Sequence, residues 1–557
     1  MWSQKVFPCT RWLGAYRRRW FVPDAVAGLV VWALIVPESM AYAAIAGVPV
    51  QFGLYSVPIA ILGYAMFGTS RRLFVGPSST VASLSAATVA PLAATGSTNY
   101  IALTAALAIL VGVLYIVLGL LRMGFIARFF AKPVLDGFIV GLGLYIAVGQ
   151  LYKVFGAPKP SGNTVQQFWD VLTSIDEWNS TTTIVGLASL ALLFGLSKYA
   201  PKVPGALVVV VLGIAATSAF DLASHGVAIV GTVPTGFHFV SWSGVSVDDL
   251  WEMIPGALGI IVVGFAQSIA IAKAYAAEDN EPIDPSGEMI GYGAASIGSG
   301  VLQGYTPTGS LSKSAAAEEA GAKTPVAFLV TAAFVVLTIF FLAGVFEDLP
   351  EAVLGAIVIH AVSGMIDFRK LTRLWRAHVA DFWLALGALL GVILIGILAG
   401  IVVGVVLSLV LLIHRLDHPH VAILGTSEDG KRFEDVAEHP DASPDPGILV
   451  YRLDAPLIFA NADVVAEDVV ARIDQAVTPI RAVVLDLEAV YEVDTQGADT
   501  LVHLSEQLQR RDVRVVIARA HVAVIEYMQR DGSLAKLGDG AVWTSVDEAV
   551  IAVRPST

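Results

Sequence analysis

Leu73-Phe74-Val75-Gly76-Pro77-Ser78-Ser79-Thr80 and Tyr305-Thr306-Pro307-Thr308-Gly309-Ser310-Leu311-Ser312-Lys313-Ser314 are the two stretches that decide the fold of this chain. Each reads as a short extended run followed by the start of a helix rich in Ser and Thr. Gly and Pro interrupt both, and both lie inside apolar sequence. Broken helices are tolerated at membrane depth only where they line a cavity, so the pair indicates a polar site inside a membrane domain.

The composition places most of the chain in lipid. Hydrophobic residues make up 56% of its 557 residues and charged residues only 15%, and the mean hydropathy is +0.72. One soluble globule of this composition would expose large apolar patches, so that class is excluded. Apolar runs close to the length that crosses a ~30 Å hydrocarbon core recur along the chain. They predict fourteen segments, near residues 24–46, 53–68, 74–92, 99–121, 131–152, 181–199, 203–220, 255–276, 288–303, 310–321, 324–345, 350–366, 380–396 and 398–415.

The two broken stretches occupy equivalent places in this series, the third and the tenth segments. Each is third in a set of seven, and because seven is odd the second set crosses the membrane in the opposite direction. We therefore predict an all-α membrane domain of fourteen segments, built from two inverted seven-segment repeats. Corresponding short segments in two halves are the best pointer in a sequence to a transporter binding site.

The distribution of basic residues sets the orientation. Residues 1–23 mix arginines with tryptophans and predict a cytoplasmic segment at the membrane surface. An even number of segments then places loop residues such as Arg71, Arg369 and Arg373 inside, as the positive-inside rule requires. We expect a multi-pass protein of the cell membrane with both termini cytoplasmic. Because Cys9 is the single cysteine, no disulfide or multi-cysteine metal site can form within one chain. The sequence has no basic cluster that would predict nucleic-acid binding.

The helix starts of the broken segments predict an anion site. Each helix N-terminus offers unpaired N–H groups and roughly half a positive charge. Ser78 and Ser312 can add hydroxyl donors, and Lys313 supplies a full positive charge. The alternatives are that Lys313 reaches an interface or pairs with Glu318 or Glu319, and that the hydroxyls merely cap helices.

Glu38 lies within the first apolar segment, directly after Pro37, which cannot donate an N–H and is expected to disrupt the helix just before Glu38. An ionised carboxylate there needs a partner or a proton, because burying it alone is costly. A carboxylate beside an anion pocket would repel the anion when ionised and accept it when protonated, which would couple anion uptake to a proton. The alternative is a neutral structural glutamic acid bonded to the backbone.

The chain changes character after about Asp417. We predict a linker over residues 417–447 and a soluble α/β domain over 448–557, after a transport domain over 24–416. Strand-like runs at 448–453, 482–487 and 513–518 alternate with amphipathic helical stretches.

The motifs resemble those of the sulfate permease (SulP) family, and the likeness covers nearly the whole chain. The residues that carry it are Val36-Pro37-Glu38 through Ala41-Tyr42-Ala43, Gly53-Leu54-Tyr55, Phe67-Gly68-Thr69-Ser70-Arg71, Val75-Gly76-Pro77, and Thr308-Gly309-Ser310 through Lys323-Thr324. The resemblance implies a uracil-permease-like fold, with a core of segments 1–4 and 8–11 and a gate of segments 5–7 and 12–14. It also implies a homodimer held largely through the cytoplasmic domains and the last segments.

By this resemblance the anion binds between the third and tenth half-helices, at Glu38, Tyr42, Ser78, Gln267, Ser312 and Lys313. Most members of the family have Arg at the position of Lys313. Lysine keeps the positive charge but lacks the paired hydrogen bonds that a guanidinium group can form. Sodium-coupled members carry an acidic residue near the position of Gln267, which makes a proton the expected coupling ion.

The tail resembles a STAS domain through Leu457-Ile458-Phe459-Ala460-Asn461-Ala462 and Asp494-Thr495-Gln496-Gly497. Related antagonists of anti-sigma factors carry a phosphorylatable Ser at the place of Thr495. The alternative for Thr495 is a helix cap. A cytoplasmic regulatory protein is a possible partner of this domain.

These observations predict a secondary active transporter of a small anion, of the sulfate, bicarbonate or dicarboxylate class, without cofactor or metal. An uncoupled anion channel or exchanger, and a membrane-anchored sensor that signals through the STAS domain, are the alternatives. The sequence contains no ATPase motif and no pairing of a nucleophile with a base, so we do not expect an enzyme.

Overall fold

The computed structural model describes residues 8–124, 132–201, 203–242, 244–279, 282–428 and 432–554. Residues 1–7 of the expected N-terminal segment lie outside this range. The chain divides into two compact units, Met1–Ser408 and Leu409–Thr557.

The first repeat starts after a short helix α1, Cys9–Gly14. Its seven segments are α2 (Phe21–Ala46), α3 (Val50–Phe67), strand β1 (Phe74–Gly76) with α4 (Ser79–Val89), α5 (Thr98–Leu120), α6 (Lys132–Phe155), α8 (Ser180–Tyr199) and α9 (Gly205–Phe220). A further short helix, α7 (Thr164–Thr173), lies between the fifth and sixth segments.

The second repeat follows the same plan. Its segments are α10 (Val247–Asp279), α11 (Pro285–Val301), strand β2 (Thr308–Ser310) with α12 (Leu311–Glu319), α13 (Val326–Leu337), α14 (Glu351–Ser363), α16 (Val379–Leu394) and α17 (Ile397–Asp417). A π turn and a 3-10 turn extend α13 to Phe346. Helix α15 (Phe368–Ala377) lies between segments twelve and thirteen, the place that α7 has in the first repeat.

All fourteen predicted segments are helical among the described residues. Among the described residues, nine helical stretches are long and apolar enough to cross a membrane by length and composition, and one of them, Glu351–Ala377, joins α14 to α15. The other five are α4, α9, α11, α12 and α16, which are shorter or more polar. Two of these five, α4 and α12, are the half-helices after the broken stretches, as the sequence predicts.

The broken segments meet through their strands. β1 and β2 pair antiparallel, with Phe74 opposite Ser310 and Gly76 opposite Thr308. Because each strand leads directly into its half-helix, α4 and α12 begin at opposite ends of the strand pair. Three residues of strand span roughly 7 Å, so the two helix starts flank one small region.

Helix packing separates a core from a gate. In the core α11 packs on α5 and α3, α13 packs on α2, and α10 packs on α4. In the gate α6 packs on α16 and α14, and α14 packs on α8. Smaller contacts of α2 with α9 and α14, and of α4 with α6 and α14, join the two groups. Both half-helices therefore belong to the core, and α4 also contacts the gate.

Two buried carboxylates pin loops of the core. Asp24 accepts hydrogen bonds from the backbone of Lys323 and Thr324 and from the Thr324 hydroxyl. Glu288 accepts from both the backbone and the hydroxyl of Thr69, and from the hydroxyls of Tyr64 and Tyr292. Neither side chain is exposed. Such fully satisfied networks hold the ends of segments one, two, nine and ten together.

The structure corrects one local expectation. Pro37 was expected to disrupt the first helix just before Glu38, but α2 continues across it. Proline removes one backbone donor from the interior of a helix, and tertiary packing tolerates that loss here because Pro37 is buried against neighbouring segments.

The second unit contains a six-stranded sheet in the order β4-β3-β5-β6-β7-β8. Its strands are β3 (Val421–Thr426), β4 (Phe433–Asp435), β5 (Ile448–Leu453), β6 (Ala482–Asp486), β7 (Arg514–Ala518) and β8 (Val542–Trp543). Strands β5 to β8 run parallel, and β3 pairs antiparallel with both β4 and β5. The helices are α18 (Ala462–Gln475), α19 (Thr495–Gln509), α20 (Val522–Asp531), α21 (Ser533–Leu537) and α22 (Val546–Val553).

The sheet has one difference from the sequence expectation. Strands β3 and β4 lie within residues 417–447, which the sequence predicts as a linker. Ala422 and Leu424 of β3 are buried against Val450 and the other side chains of one face of the sheet. The apolar run of β3 is short and β4 has three residues, so periodicity alone does not separate them from a loop.

Candidate anion-binding site

The site forms where α4 and α12 begin. Ser78 is the N-cap of α4, and its hydroxyl accepts a hydrogen bond from the backbone of Val81 at 3.4 Å. The side chain of Ser310 makes no cap bond at the start of α12. The remaining free N–H groups of both helix starts suit a negative charge between them.

Lys313 and Glu38 form an ion pair at this place. The ammonium of Lys313, in the first turn of α12, contacts the Oε2 atom of Glu38 on α2. The two side chains are 5% and 14% exposed, so the pair is largely shielded from water. The Tyr42 hydroxyl donates a 2.9 Å hydrogen bond to the same carboxylate oxygen, and the ammonium lies 5.4 Å from the centre of the Tyr42 ring.

The position of Lys313 is electrostatically unfavourable without a negative partner. A cation in the first turn of a helix is opposed by the helix dipole, which favours anions there. Removing the ammonium from water adds a further cost. A carboxylate or another anion beside Lys313 offsets both costs, and Glu38 fills this role in the structure.

Of the two alternative partners of Lys313, Glu318 has another contact. Glu318 pairs with Arg72, which also lies 3.0 Å from Glu278 and stacks on the Tyr275 ring at 4.4 Å. Glu38 is bonded to side chains from two segments in this structure, whereas the structural alternative for Glu38 expected backbone bonds. The arrangement is thus an ion pair across the site.

The other predicted site residues lie on three elements of the core. Ser312 is exposed on α12, with its hydroxyl 3.3 Å from that of Ser310. Gln267 is half-buried on α10, next to the buried Ser268. The predicted set Glu38, Tyr42, Ser78, Gln267, Ser312 and Lys313 therefore comes from segments one, three, eight and ten.

Sequence reasoning missed the residues that hold the strand pair in place. The Ser268 hydroxyl donates to the Gly264 carbonyl at 2.7 Å, accepts from the Gly309 backbone at 2.8 Å and lies 2.7 Å from the Thr308 hydroxyl. Ser314 connects the other end, accepting from the backbone of Phe74 at 2.8 Å. The sequence signal for Ser268 was its place next to Gln267. That signal is weak, because a serine on an apolar helix is usually explained by packing alone.

Two more polar side chains, Tyr305 and His360, lie near Glu38, and Thr306 follows Tyr305 in the chain. The hydroxyls of Tyr305 and Thr306 are buried without a hydrogen-bond partner among the described residues. Tyr305 is close enough to Glu38 for an electrostatic interaction, and so is the half-buried His360 on α14 of the gate. Unpaired buried hydroxyls beside a site are available donors for a ligand.

The tail places Thr495 differently from the cap alternative. Asp494 is the N-cap of α19, accepting from the backbone of Gly497 at 2.8 Å. Thr495 is exposed in the first turn, and its hydroxyl lies 2.9 Å from that of Tyr527. The cap interpretation of Thr495 is therefore wrong, because the preceding aspartate already fills that role.

Comparison with known proteins gives two family matches. The model of the sulfate permease family matches residues 21–388, and that of the STAS domain matches residues 439–549. A probable sulfate transporter of Mycobacterium tuberculosis is 34% identical over 541 residues, covering 97% of this chain and 96% of the relative. Sulfate transporter 4.1, chloroplastic, of Arabidopsis thaliana is 31% identical, covering 99% and 82%.

Solved structures show the same fold. The murine anion transporter Slc26a9 in its inward-facing state has a TM-score of 0.90 at 23% identity, covering 98% of this chain and 94% of that one. The transmembrane domain of the cyanobacterial bicarbonate transporter BicA has a TM-score of 0.60 at 19% identity, covering 71% and 98%.

These matches agree with the fold of inverted seven-segment repeats and with the α/β tail. They place the chain among transporters rather than enzymes. The chain belongs to the sulfate permease family of anion transporters and carries a C-terminal STAS domain.

Proposed function

We propose that this protein is a secondary active transporter that moves a small oxyanion together with a proton by alternating access. The observation that carries the proposal is the largely buried ion pair of Glu38 and Lys313 at the start of half-helix α12. In this state Glu38 acts as the counter-ion that a bound anion would otherwise provide. The site is thus built for negative charge but is already neutralised.

An incoming anion competes with Glu38 for Lys313. Two negative charges at about 4 Å repel by roughly 4 kcal/mol at an effective dielectric of 20. Protonating Glu38 removes this repulsion and frees the Lys313 ammonium. The anion then binds to this ammonium and to the free N–H groups of the helix starts. Proton and anion binding are therefore linked, each raising the affinity for the other by the same factor.

We propose sulfate as the first anion to test. The M. tuberculosis and A. thaliana relatives are named sulfate transporters. A doubly charged anion also gains most from two helix dipoles and one ammonium. Hydroxyl groups at the helix starts would serve bicarbonate and dicarboxylates as well, so these belong in the same assay.

The coupling ion is the point that separates this proposal from its alternatives. Gln267 on α10 is an amide, whereas sodium-coupled members of the family carry an acidic residue near this position. A proton taken up by Glu38 is therefore preferred over sodium. An uncoupled channel would show no accumulation, and a sensor would show no flux.

We predict that Glu38→Gln converts proton-driven accumulation into uncoupled exchange of the same anion. Gln keeps a hydrogen-bonding side chain near Lys313 and Tyr42 but cannot take up or release a proton. The measurement is accumulation of labelled sulfate in proteoliposomes with an imposed inward proton gradient, beside sulfate exchange without a gradient. Accumulation should disappear in the variant while exchange remains.

The control for this experiment is His360→Gln, because His360 is the other titratable group that interacts with Glu38 from the gate. This variant should keep accumulation. If Glu38→Gln still concentrates sulfate as strongly as wild type, Glu38 is not the coupling residue. Loss of accumulation in His360→Gln alone would assign the proton to the gate.

The assembly and location follow the same proposal. We infer a homodimer in the cell membrane with both termini cytoplasmic, where the STAS domain could meet a regulatory protein. The exposed Thr495 hydroxyl at the start of α19 is the candidate for phosphorylation there.

A further inference from the structure

Helix α15 separates apolar from basic side chains completely. At 100° per residue, Phe368, Leu371, Leu374 and Trp375 fall within one third of its circumference. Arg369, Lys370, Arg373 and Arg376 fall on the opposite third. The helix has ten residues, carries four positive charges and no acidic residue, and connects two membrane segments of the gate. A basic amphipathic helix of this kind is typical of membrane surfaces.

Only part of the apolar side of α15 is used for packing within the protein. Leu371 is 8% exposed and packs with Val140 on α6 and with Leu389 on α16. Phe368 and Trp375 are 54% and 50% exposed. These two rings lie seven positions apart and therefore share one edge of the helix. Leu371 anchors α15 to the gate, and the Trp375 ring meets Phe382 of α16 edge-on with 4.9 Å between ring centres. About half of the Trp375 and Phe368 side chains nevertheless remains exposed.

The basic side divides in the same way. The Lys370 ammonium lies 3.9 Å from a carboxylate oxygen of Asp136 on α6, so this charge has a partner. Arg369, Arg373 and Arg376 are exposed and make no ion pair among the described residues. They follow the aromatic edge around the helix, separated from it only by Thr372. The order around the helix is thus aromatic, then hydroxyl, then guanidinium.

Helix α7 shows that the aromatic residues and the charge are separate features. α7 holds the same place in the first repeat, and seven segments lie between the two helices, so they emerge on opposite faces of the membrane. α7 is also anchored by one buried apolar residue, Val171, and exposes Phe168 and Trp169. It contains no Lys or Arg, and its single charged residue is Asp170. Both helices can lie at an interface, but only α15 carries positive charge.

We propose that α15 is a binding site for anionic phospholipid. Arg369, Arg373 and Arg376 hold the headgroup phosphates, and Phe368 and Trp375 lie at the boundary of the acyl chains. The proposal rests on the orientation inferred above, in which α15 faces the cytoplasmic leaflet. Guanidinium groups form paired hydrogen bonds with phosphate oxygens, and aromatic rings prefer the interfacial region.

The physical consequence is a charge-dependent anchor on the gate. Each basic residue near an anionic surface gains about a fivefold preference over a neutral one. Because α15 packs on α6 and α16 of the gate, bound lipid holds the gate at a fixed depth while the core moves. Transport should then depend on the anionic lipid content of the membrane.

The test uses quenching of Trp375 by brominated lipids in liposomes that contain the full-length protein. The membranes contain phosphatidylcholine with a minority of phosphatidylglycerol, and only one of the two lipids carries bromine in each sample. Subtracting the signal of Trp375→Phe isolates Trp375. Brominated phosphatidylglycerol should quench it severalfold more than its mole fraction predicts. The variant Arg369→Gln/Arg373→Gln/Arg376→Gln should reduce quenching to the mole fraction.

Two controls accompany this measurement. Lys370→Gln removes a charge that is paired with Asp136 and should leave the lipid preference unchanged. Trp169 on α7, isolated with Trp169→Phe, should be quenched by both lipids in proportion to their amounts. Quenching of wild-type Trp375 in simple proportion to composition would refute the proposal without reference to any variant. So would protection of Trp375 from both lipids, which would indicate that protein covers α15.

Discussion

At the scale of single residues, the sequence did not determine which carboxylate pairs with Lys313. Glu318 and Glu319 are near in sequence, whereas Glu38 lies far away along the chain, and only the fold brings it to α12. The importance of both residues could be predicted, because Glu38 is a charged residue inside an apolar segment and Lys313 lies at the start of a broken one. Their contact could not, since it depends on how α2 packs beside α12. Ser268 escaped prediction for the same reason.

We predict that Lys313→Ala abolishes anion binding. The substitution removes the full positive charge beside the helix starts, and it leaves Glu38 as an unpaired, largely buried carboxylate. Removing one partner of a buried pair typically costs about 4 kcal/mol, unless the remaining group takes up a proton. The measurement is equilibrium binding of labelled sulfate to the purified protein.

Two further variants separate lost charge from lost folding. Lys313→Arg keeps the charge and should restore part of the binding. Lys313→Ala combined with Glu38→Gln removes both charges, so it should recover thermal stability but not sulfate binding. Wild-type transport by Lys313→Ala would remove this residue from the mechanism.

At the scale of elements, the fourteen membrane segments were predictable because each is an apolar run bounded by polar residues, Gly or Pro. The helices α7 and α15 were not, because they are short and half polar and contribute little to a hydropathy window. In the tail, β5, β6 and β7 were found from strand-like runs of mostly apolar residues. Strands β3 and β4 were missed because neither shows a comparable run.

We predict that Ser268→Ala weakens both the core and the site. Its hydroxyl is the acceptor for the Gly309 backbone in β2 and a partner of Thr308. Loss of the acceptor leaves a buried N–H unsatisfied, at a cost of about 1–3 kcal/mol. The start of α12 should then be less well positioned. Thermal unfolding in detergent and sulfate affinity are the two measurements.

Ser83→Ala is the matched control for this variant. Ser83 is equally buried and also lies on a core helix, but its hydroxyl only donates to the Ser79 carbonyl within α4. A helical carbonyl keeps its own backbone partner, so stability and affinity should change little. Equal losses in both variants would show that volume, not the bond to β2, explains the effect.

At the scale of the whole molecule, alternating access requires the core to move against the gate. The contact that reports this motion joins Ser79, at the start of α4, to Met365, just after α14, with 4.0 Å between the Ser79 hydroxyl and the Met365 sulfur. Met365 also lies beside α6 of its own gate, where a Cβ atom at Gly143 would be 3.1 Å from the Met365 Cβ atom. One gate residue therefore has a neighbour on the moving core and another within the gate.

We predict that a cross-link from residue 79 to residue 365 stops transport, whereas one from residue 143 to residue 365 does not. Both pairs are made as cysteines in a Cys9→Ser background, which removes the single native cysteine. A short thiol-reactive cross-linker then joins Ser79→Cys to Met365→Cys, or Gly143→Cys to Met365→Cys. Sulfate exchange in proteoliposomes is measured before and after cross-linking and again after the link is cleaved by reduction.

Because the first link ties the core to the gate, exchange should be lost and then recovered. The second link stays within one rigid group and should leave exchange unchanged. Full exchange with the first link in place would mean that the half-helices do not move relative to α14, and transport would then have to proceed without core motion, as in a channel.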